Sequence, residues 1–139
     1  MFDVANSTIQ NLKSNNHKVM CYLNVGAWEN WRPDKNNFPN YTKRARMGEW
    51  EGEYWLDLYN ETSLDKIKEL MGLRLDLAAA KGCQALDYDN MDCWGNSECR
   101  TGFNQTRAKE IQIEYNTWLA EAAHARGMSA GLKNDLEQI

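Results

Sequence analysis

Three short apolar runs, separated by long amphipathic segments, constrain this chain more than anything else in its sequence. The runs are Lys18–Val25, Cys83–Asp89 and Met128–Lys133. Nearly continuous apolar runs of this length suit parallel strands buried on both faces. A short helix carrying Ile9 and Leu12, capped by Ser7 or Thr8, precedes the first run and ends near Asn15 and Asn16. Between the first and second runs, residues 63–81 place Leu64, Ile67, Met71, Leu75 and Ala78 on one helical stripe, and Gly82 stops the helix. Between the second and third, residues 106–126 place Ile111, Tyr115, Trp118, Leu119 and Ala122 on another, closed by Gly127. The order αβ–αβ–αβ implies a parallel sheet with crossover helices. No phosphate-binding glycine loop follows any strand, which argues against a dinucleotide fold. A flavodoxin-like module fits the alternation but not the Asp- and Trp-rich strand ends. A (β/α)₈ barrel remains, and barrels carry their sites at strand C-terminal ends. The segment from Ala27 to about Asn60 reads as a long loop holding Trp28, Trp31, Trp50, Trp55 and both prolines. A loop so rich in tryptophan is functional rather than disordered.

The 139 residues form one domain, 42% hydrophobic, with six Trp and six Tyr. No run approaches a membrane span, and no basic patch accompanies the formal charge of −4, so neither a membrane nor a nucleic-acid partner is expected. The four cysteines form neither a CxxC pair nor a Cys/His cluster, so no zinc site is expected, and no organic cofactor is either. Cys93 and Cys99, close together in a polar stretch, read as a disulfide staple. Cys21 and Cys83, in apolar runs, read as buried free thiols. Four Asn-x-Ser/Thr sequons, at Asn6, Asn40, Asn60 and Asn104, point to a secreted protein, although no signal peptide opens the chain.

Polar residues gather where the strands end: Asn24 and Glu29 after the first, Asp87, Asp89, Asn90 and Asp92 around the second, Lys133, Asn134 and Asp135 after the third. Side chains alternate along a strand, so Asp87 and Asp89 share a face. Glycoside hydrolysis uses two carboxyls on opposite sides of the scissile bond, one as acid and one as base or nucleophile. Two carboxylates on one strand do not supply the whole pair; one is catalytic and the other binds sugar or orients its neighbour. A calcium site or a solvated acidic loop explains the spacing equally well. Lys133, Asn134 and Asp135 can hydrogen-bond sugar hydroxyls, or Asn134 and Asp135 can simply cap a helix. Trp28, Trp31 and Trp94 sit where flat rings can stack on sugars, whereas burial is the expectation for Trp50 and Trp55. His17 and His124 read as structural, and no catalytic triad can be drawn.

Several segments at these positions resemble glycoside hydrolase family 114, the endo-α-1,4-polygalactosaminidases. They are Cys21-Tyr22 through Gly26; Glu29-Asn30-Trp31-Arg32-Pro33-Asp34; Gly52-Glu53-Tyr54-Trp55-Leu56-Asp57; Arg74-Leu75-Asp76-Leu77-Ala78 with Lys81-Gly82-Cys83; Asp87-Tyr88-Asp89-Asn90-Met91-Asp92; Ala123-His124-Ala125-Arg126-Gly127; and Gly131-Leu132-Lys133-Asn134-Asp135. The resemblance covers essentially the whole chain, in order. It implies a (β/α)₈ barrel that cleaves α-1,4-linked galactosamine polymers internally, without a metal, using an Asp at the end of a middle strand and a Glu on a later one. Asp89 matches the first, with Asp87 second. Asn24, Glu29, Trp31, Asn90, Asp92, Trp94, Lys133, Asn134 and Asp135 are the expected substrate contacts. Free amino groups make such a polymer cationic, which suits acidic strand ends.

A complete barrel of this kind takes ~250 residues. The expectation is therefore about half a barrel, roughly strands 2–5, with the later Glu beyond Ile139 and a monomer when complete. Alone, such a chain is expected to be unstable and inactive. The competing expectation is a sugar-binding or decayed barrel without catalysis.

Overall fold

The computed structural model describes residues 1–138. The chain-order elements are α1 (Asn6–Ser14), β1 (Met20–Asn24), β2 (Ala27–Glu29), β3 (Lys43–Arg46), β4 (Glu53–Leu56), α2 (Glu61–Lys81), β5 (Ala85–Asp89), α3 (Ser97–Arg100), α4 (Gln105–His124) and β6 (Ser129–Leu132). One sheet is parallel, in the order β1-β5-β6, with Tyr22 beside Asp87, Asn24 beside Asp89, and Asp87 beside Gly131. The sheet grows in one direction, and the crossover helices α2 and α4 touch each other. No helix among the described residues is long and apolar enough to cross a membrane.

The two crossover helices are delimited by the same devices. The Asn60 side chain accepts from the Ser63 amide at the start of α2, and the Asn104 side chain accepts from the Arg107 amide at the start of α4. Each therefore satisfies one of the amides that a helix start leaves unpaired. At the other ends, Gly82 and Gly127 adopt φ of 93° and 72°, and the next amides, Cys83 and Met128, bond back to Ala78 and Ala123. The left-handed conformation these turns need carries no Cβ penalty for glycine. α1 begins without a side-chain cap, its N-cap being Ala5 rather than Ser7 or Thr8.

The helix-facing side of the sheet is the core. Leu23, Leu86 and Tyr88 are buried there with Ile67, Met71, Leu75 and Ala78 of α2 and Ile111, Tyr115 and Leu119 of α4. Tyr88 and Tyr115 bury whole rings but keep their hydroxyls paired, to the carbonyls of Leu119 and Val25, as buried phenols require.

Two expectations need correction. Residues 27–56 are not a structureless loop: β2, β4 and β3 form a three-stranded antiparallel sheet in that order. It hangs from the end of β1, where the Leu56 amide donates to the Gly26 carbonyl. Cys21 and Cys83 are not free thiols but form a disulfide, alongside the Cys93–Cys99 disulfide that the spacing predicts. β1 and β5 pair in parallel, so Cys21 lies next to the turn that enters β5, where Cys83 sits.

Candidate active site

The site is built at the C-terminal ends of the parallel strands. Gly26 makes the approach possible: a Cβ there would fall on the carbonyl oxygen of Asn90, which follows β5. The turn is held by Asn24, whose carboxamide oxygen accepts from the Ala27 amide at 2.9 Å and from Asn90 Nδ2 at 3.1 Å. Asn90 takes φ of 62°, a left-handed conformation that asparagine tolerates better than most residues. Its amide is shared between Asp89 Oδ1 at 3.1 Å and Asn134 Oδ1 at 2.8 Å. The loops after β1, β5 and β6 are thereby cross-linked around one carboxylate.

That carboxylate is Asp89. Tyr22 Oη donates to its Oδ2 at 2.7 Å, and Lys133 Nζ lies 3.5 Å from its Oδ1. Lys133 also sits over the Tyr22 ring, 5.2 Å from its centre. Tyr22 is pushed well above the ordinary phenol range, first by burial and then by its bond to Asp89. At neutral pH it is therefore a fixed donor. Asp87 lies one pleat away on the same face, next to Tyr22 in register, and its side chain has no hydrogen-bond partner among the described residues.

Asp89 opens into a cavity of about 510 Å³ lined also by Tyr22, Met47, Trp50, Glu53, Asn90, Lys133 and Asn134. An adjoining hollow of about 370 Å³ shares Met47, Trp50, Asn90 and Asn134 and adds Trp55, Asp92, Asn96 and Glu98. Desolvation, and to a lesser degree the charge of Asp89, hold the Asp92 carboxyl above its usual range. A third hollow of about 290 Å³, between α4 and β6, is lined by helix-facing side chains such as Tyr88, Ala130 and Leu132 and contains neither Asp87 nor Asp89.

The strand-end residues thus divide. Asp89, Asn90, Asp92, Lys133 and Asn134 line the connected hollows, with Asp87 beside them on the sheet face. The polar groups of four others are committed internally. Asn24, 2% exposed, holds the turn. Glu29 is buried and receives Nε and Nη2 of Arg32 at 2.5 and 2.8 Å. Trp94 is buried and donates to Asp135 Oδ1 at 2.6 Å, while Asn116 of α4 donates to Asp135 Oδ2 at 2.9 Å. Asp135 therefore ties the β5 loop to α4, and desolvation raises its pKa despite the Trp94 bond. Trp31 is half-exposed and outside the cavity. Trp28 donates to the Lys35 carbonyl and lies under Lys43, within the antiparallel sheet region.

Trp50 departs from its expected burial: it is 68% exposed at the cavity edge. Trp55 is buried as expected. Two further lining residues, Tyr22 and Glu53, are missing from the sequence-based set. Tyr22 was accessible through alternation, since it shares a strand face with Asn24; Glu53 opens a strand of four residues, too short for alternation to mark.

The sequence matches the model of glycoside-hydrolase family GH114 over residues 1–139. Among solved structures, Aspergillus fumigatus Ega3, determined in complex with galactosamine, superposes with a TM-score of 0.84 at 37% identity, over 96% of this chain and 50% of that one. The glycoside hydrolase domain of PelA from Pseudomonas aeruginosa superposes with a TM-score of 0.76 at 13% identity, over 98% of this chain and 51% of that one, a likeness of fold. This chain thus spans about half the length of the solved structures it matches. No curated protein sequence matches it. With the family's pattern running from its first residue to its last, the chain belongs to glycoside-hydrolase family GH114.

Proposed function

We propose that this chain carries one half of a glycosidase site that cleaves α-1,4-linked galactosamine polymers internally, within a (β/α)₈ barrel, with Asp89 as one of its two working carboxylates. The observation that carries the reading is the setting of Asp89: the end of a parallel strand, two donors on its two oxygens, and an open cavity in front of it. The one-directional order β1-β5-β6 fits a barrel better than a doubly wound sheet, in which strand order reverses. Ega3, bound to galactosamine in its own structure, supports the choice of sugar. The two disulfides suit an oxidising, extracellular setting. All four sequon asparagines are exposed, consistent with glycosylation.

In this reading Tyr22 and Lys133 fix the Asp89 carboxylate, so that it meets the sugar ring without reorganising. Asp87 is the second candidate within the pair; Asp92, Asn90, Asn134 and Lys133 contact sugar hydroxyls. Lys133 supplies the positive charge that pairs with the Asp89 carboxylate. The test is turnover and binding of an α-1,4-galactosamine polymer by Asp89→Asn and Asp87→Asn in the complete enzyme to which this half of the site belongs. Loss of a working carboxylate costs on the order of 10²–10⁴-fold in rate, with polymer binding largely retained. Near-normal turnover in Asp89→Asn with a dead Asp87→Asn moves the role to Asp87. Activity in both variants defeats the reading.

A further inference from the structure

Of the four exposed sequon asparagines, Asn60 and Asn104 differ from the other two in what their side chains do. Each is the N-cap of a crossover helix. The carboxamide oxygen of Asn60 accepts from the Ser63 amide, and that of Asn104 from the Arg107 amide, both at 3.0 Å. A planar carboxamide whose oxygen is held on the helix end turns its nitrogen away from that end. Neither Nδ2 has a partner among the described residues. Elsewhere the fold does use this group: Nδ2 of Asn15, Asn90, Asn96 and Asn116 all donate internally. The threonines that complete these two sequons, Thr62 and Thr106, are exposed as well. At Asn40 the equivalent threonine, Thr42, is buried and donates to the Pro39 carbonyl. Asn6 lies within α1 and caps nothing.

The fold brings the two capping sequons together. Tyr59 and Phe103, the residues immediately before them, stack face to face, with ring centres 4.3 Å apart and planes 8° from parallel. Arg44 lies over Tyr59, 5.0 Å from its centre, and donates to the carbonyls of Cys99 and Thr101. Tyr59 Oη is 3.1 Å from Cys93 Sγ. The starts of α2 and α4 are therefore clamped to one another, although far apart in sequence. Neither Asn60 nor Asn104 lines the hollows in front of Asp89. A bulky group on either nitrogen grows from a surface outside them.

We propose that Asn60 and Asn104 form a paired modification site, each carrying an asparagine-linked oligosaccharide, with the two glycans side by side next to the Tyr59–Phe103 stack. In the transfer, Nδ2 takes the anomeric carbon of an oligosaccharide carried on a lipid diphosphate. The bond from that carbon to nitrogen forms, its bond to the diphosphate oxygen breaks, and the amide nitrogen gives up one proton. The nitrogen keeps its second hydrogen and the carboxamide keeps its oxygen, so both helix caps survive. Glycans on adjacent residues also shield each other from enzymes that act on them. The inference rests on the extracellular setting that the disulfides suit and is independent of the glycosidase reading.

The experiment uses the protein secreted by a eukaryotic host. Release of the glycans by peptide N-glycosidase in heavy-oxygen water leaves a labelled aspartate at every occupied asparagine, which peptide mass spectrometry reads. Label is expected at both Asn60 and Asn104; an unlabelled residue at either position overturns the inference. Thr62→Ala and Thr106→Ala each destroy one sequon and leave the capping asparagine in place, so loss of a glycan is not confused with loss of a cap. Urea midpoints of the deglycosylated variants should therefore match wild type. In the native protein, release at Asn104 should run several-fold faster in Thr62→Ala than in wild type, and release at Asn60 likewise in Thr106→Ala. Thr8→Ala, which removes the sequon at Asn6, should change neither rate. Release rates that are indifferent to the neighbouring sequon mean that the two glycans stand apart, and they overturn the pairing.

Discussion

The guanidinium of Arg74 occupies the centre of the region that positions the site, although it stands in the middle of α2, remote in sequence from any strand end. It is 2% exposed. Nε and Nη2 hold Asp34 at 2.7 and 3.0 Å, and Nη1 donates to the Asn24 carbonyl at 3.0 Å. The rings of Phe2 and Phe38 flank it at 5.4 and 4.9 Å. One side chain therefore joins α2, the end of β1 and the segment after β2. Removing one partner of such a pair leaves the other charge, and here a carbonyl, without compensation. Arg74→Ala should cost about 3–5 kcal/mol, toward the lower figure because Asp34 is partly exposed. A urea midpoint shift at unchanged slope checks it; a shift below about 1 kcal/mol would mean that the pair contributes little. Arg74 borders the apolar stripe of α2, and nothing in the sequence separates it from a solvated arginine. The same limit explains why strand-end residues were legible as a group but not one by one. Asp89, Lys133 and Asn134 follow apolar runs and do face the cavity, whereas Asn24, Glu29, Trp94 and Asp135 follow them too and turn inward. Spacing reports that a polar side chain sits at a strand end, not whether a buried amide or an indole already claims it.

At the scale of elements, what the sequence made plain was whatever repeats over many residues. α2 and α4 carry apolar stripes through several turns, and their C-terminal ends are marked by Gly82 and Gly127; the Asn60 and Asn104 caps emerge only in the structure. The antiparallel sheet escaped because its strands, Ala27–Glu29, Lys43–Arg46 and Glu53–Leu56, are only three or four residues long. Such lengths are at or below the window in which alternation is a signal. It is nevertheless braced firmly. Arg44 donates to the carbonyls of Cys99 and Thr101, both at 2.6 Å, and pairs with Asp57 at 3.1 Å. The sheet is thereby fixed to the Cys93–Cys99 loop. The Cys21–Cys83 bond was hidden for another reason: it spans 62 residues, and only the pairing of β1 with β5 brings its ends together. In the chain-entropy picture, closing loops of 62 and 6 residues stabilises by about 4 and about 2 kcal/mol respectively. Replacing Cys21 and Cys83 by Ala should therefore cost roughly twice as much as replacing Cys93 and Cys99. Denaturant titration of the two double variants decides; equal losses would show that strain or packing, not loop closure, sets the values.

For the molecule as a whole, acidity at the strand ends makes stability depend on pH in a definite direction. Asp92, Asp135 and Glu53 are all raised above their usual values, each with desolvation as the largest cause. An acid whose folded pKa lies above its unfolded one binds more protons in the native state across that interval. Its contribution to stability is full below the unfolded value, near 4, and is lost as pH rises through the folded one. Asp92 isolates the effect best, because Asp135 also anchors Trp94 and Asn116, and Glu53 also feels the charges of Glu29 and Arg32. Around Asp92, the Asn96 bond pulls the pKa down, while burial and the charge of Asp89 push it up and prevail. Asp92→Asn removes the titration while keeping a side chain of nearly the same shape. The variant should gain stability relative to wild type as pH rises from 4 toward 7, and the gap should close at or below pH 4, where both side chains are neutral. Urea midpoints at several pH values in that interval give the two curves. Parallel curves would mean that Asp92 ionises as freely in the folded chain as in the unfolded one, and that water reaches the base of the hollow beside Asn96 and Asn134 more fully than its burial implies.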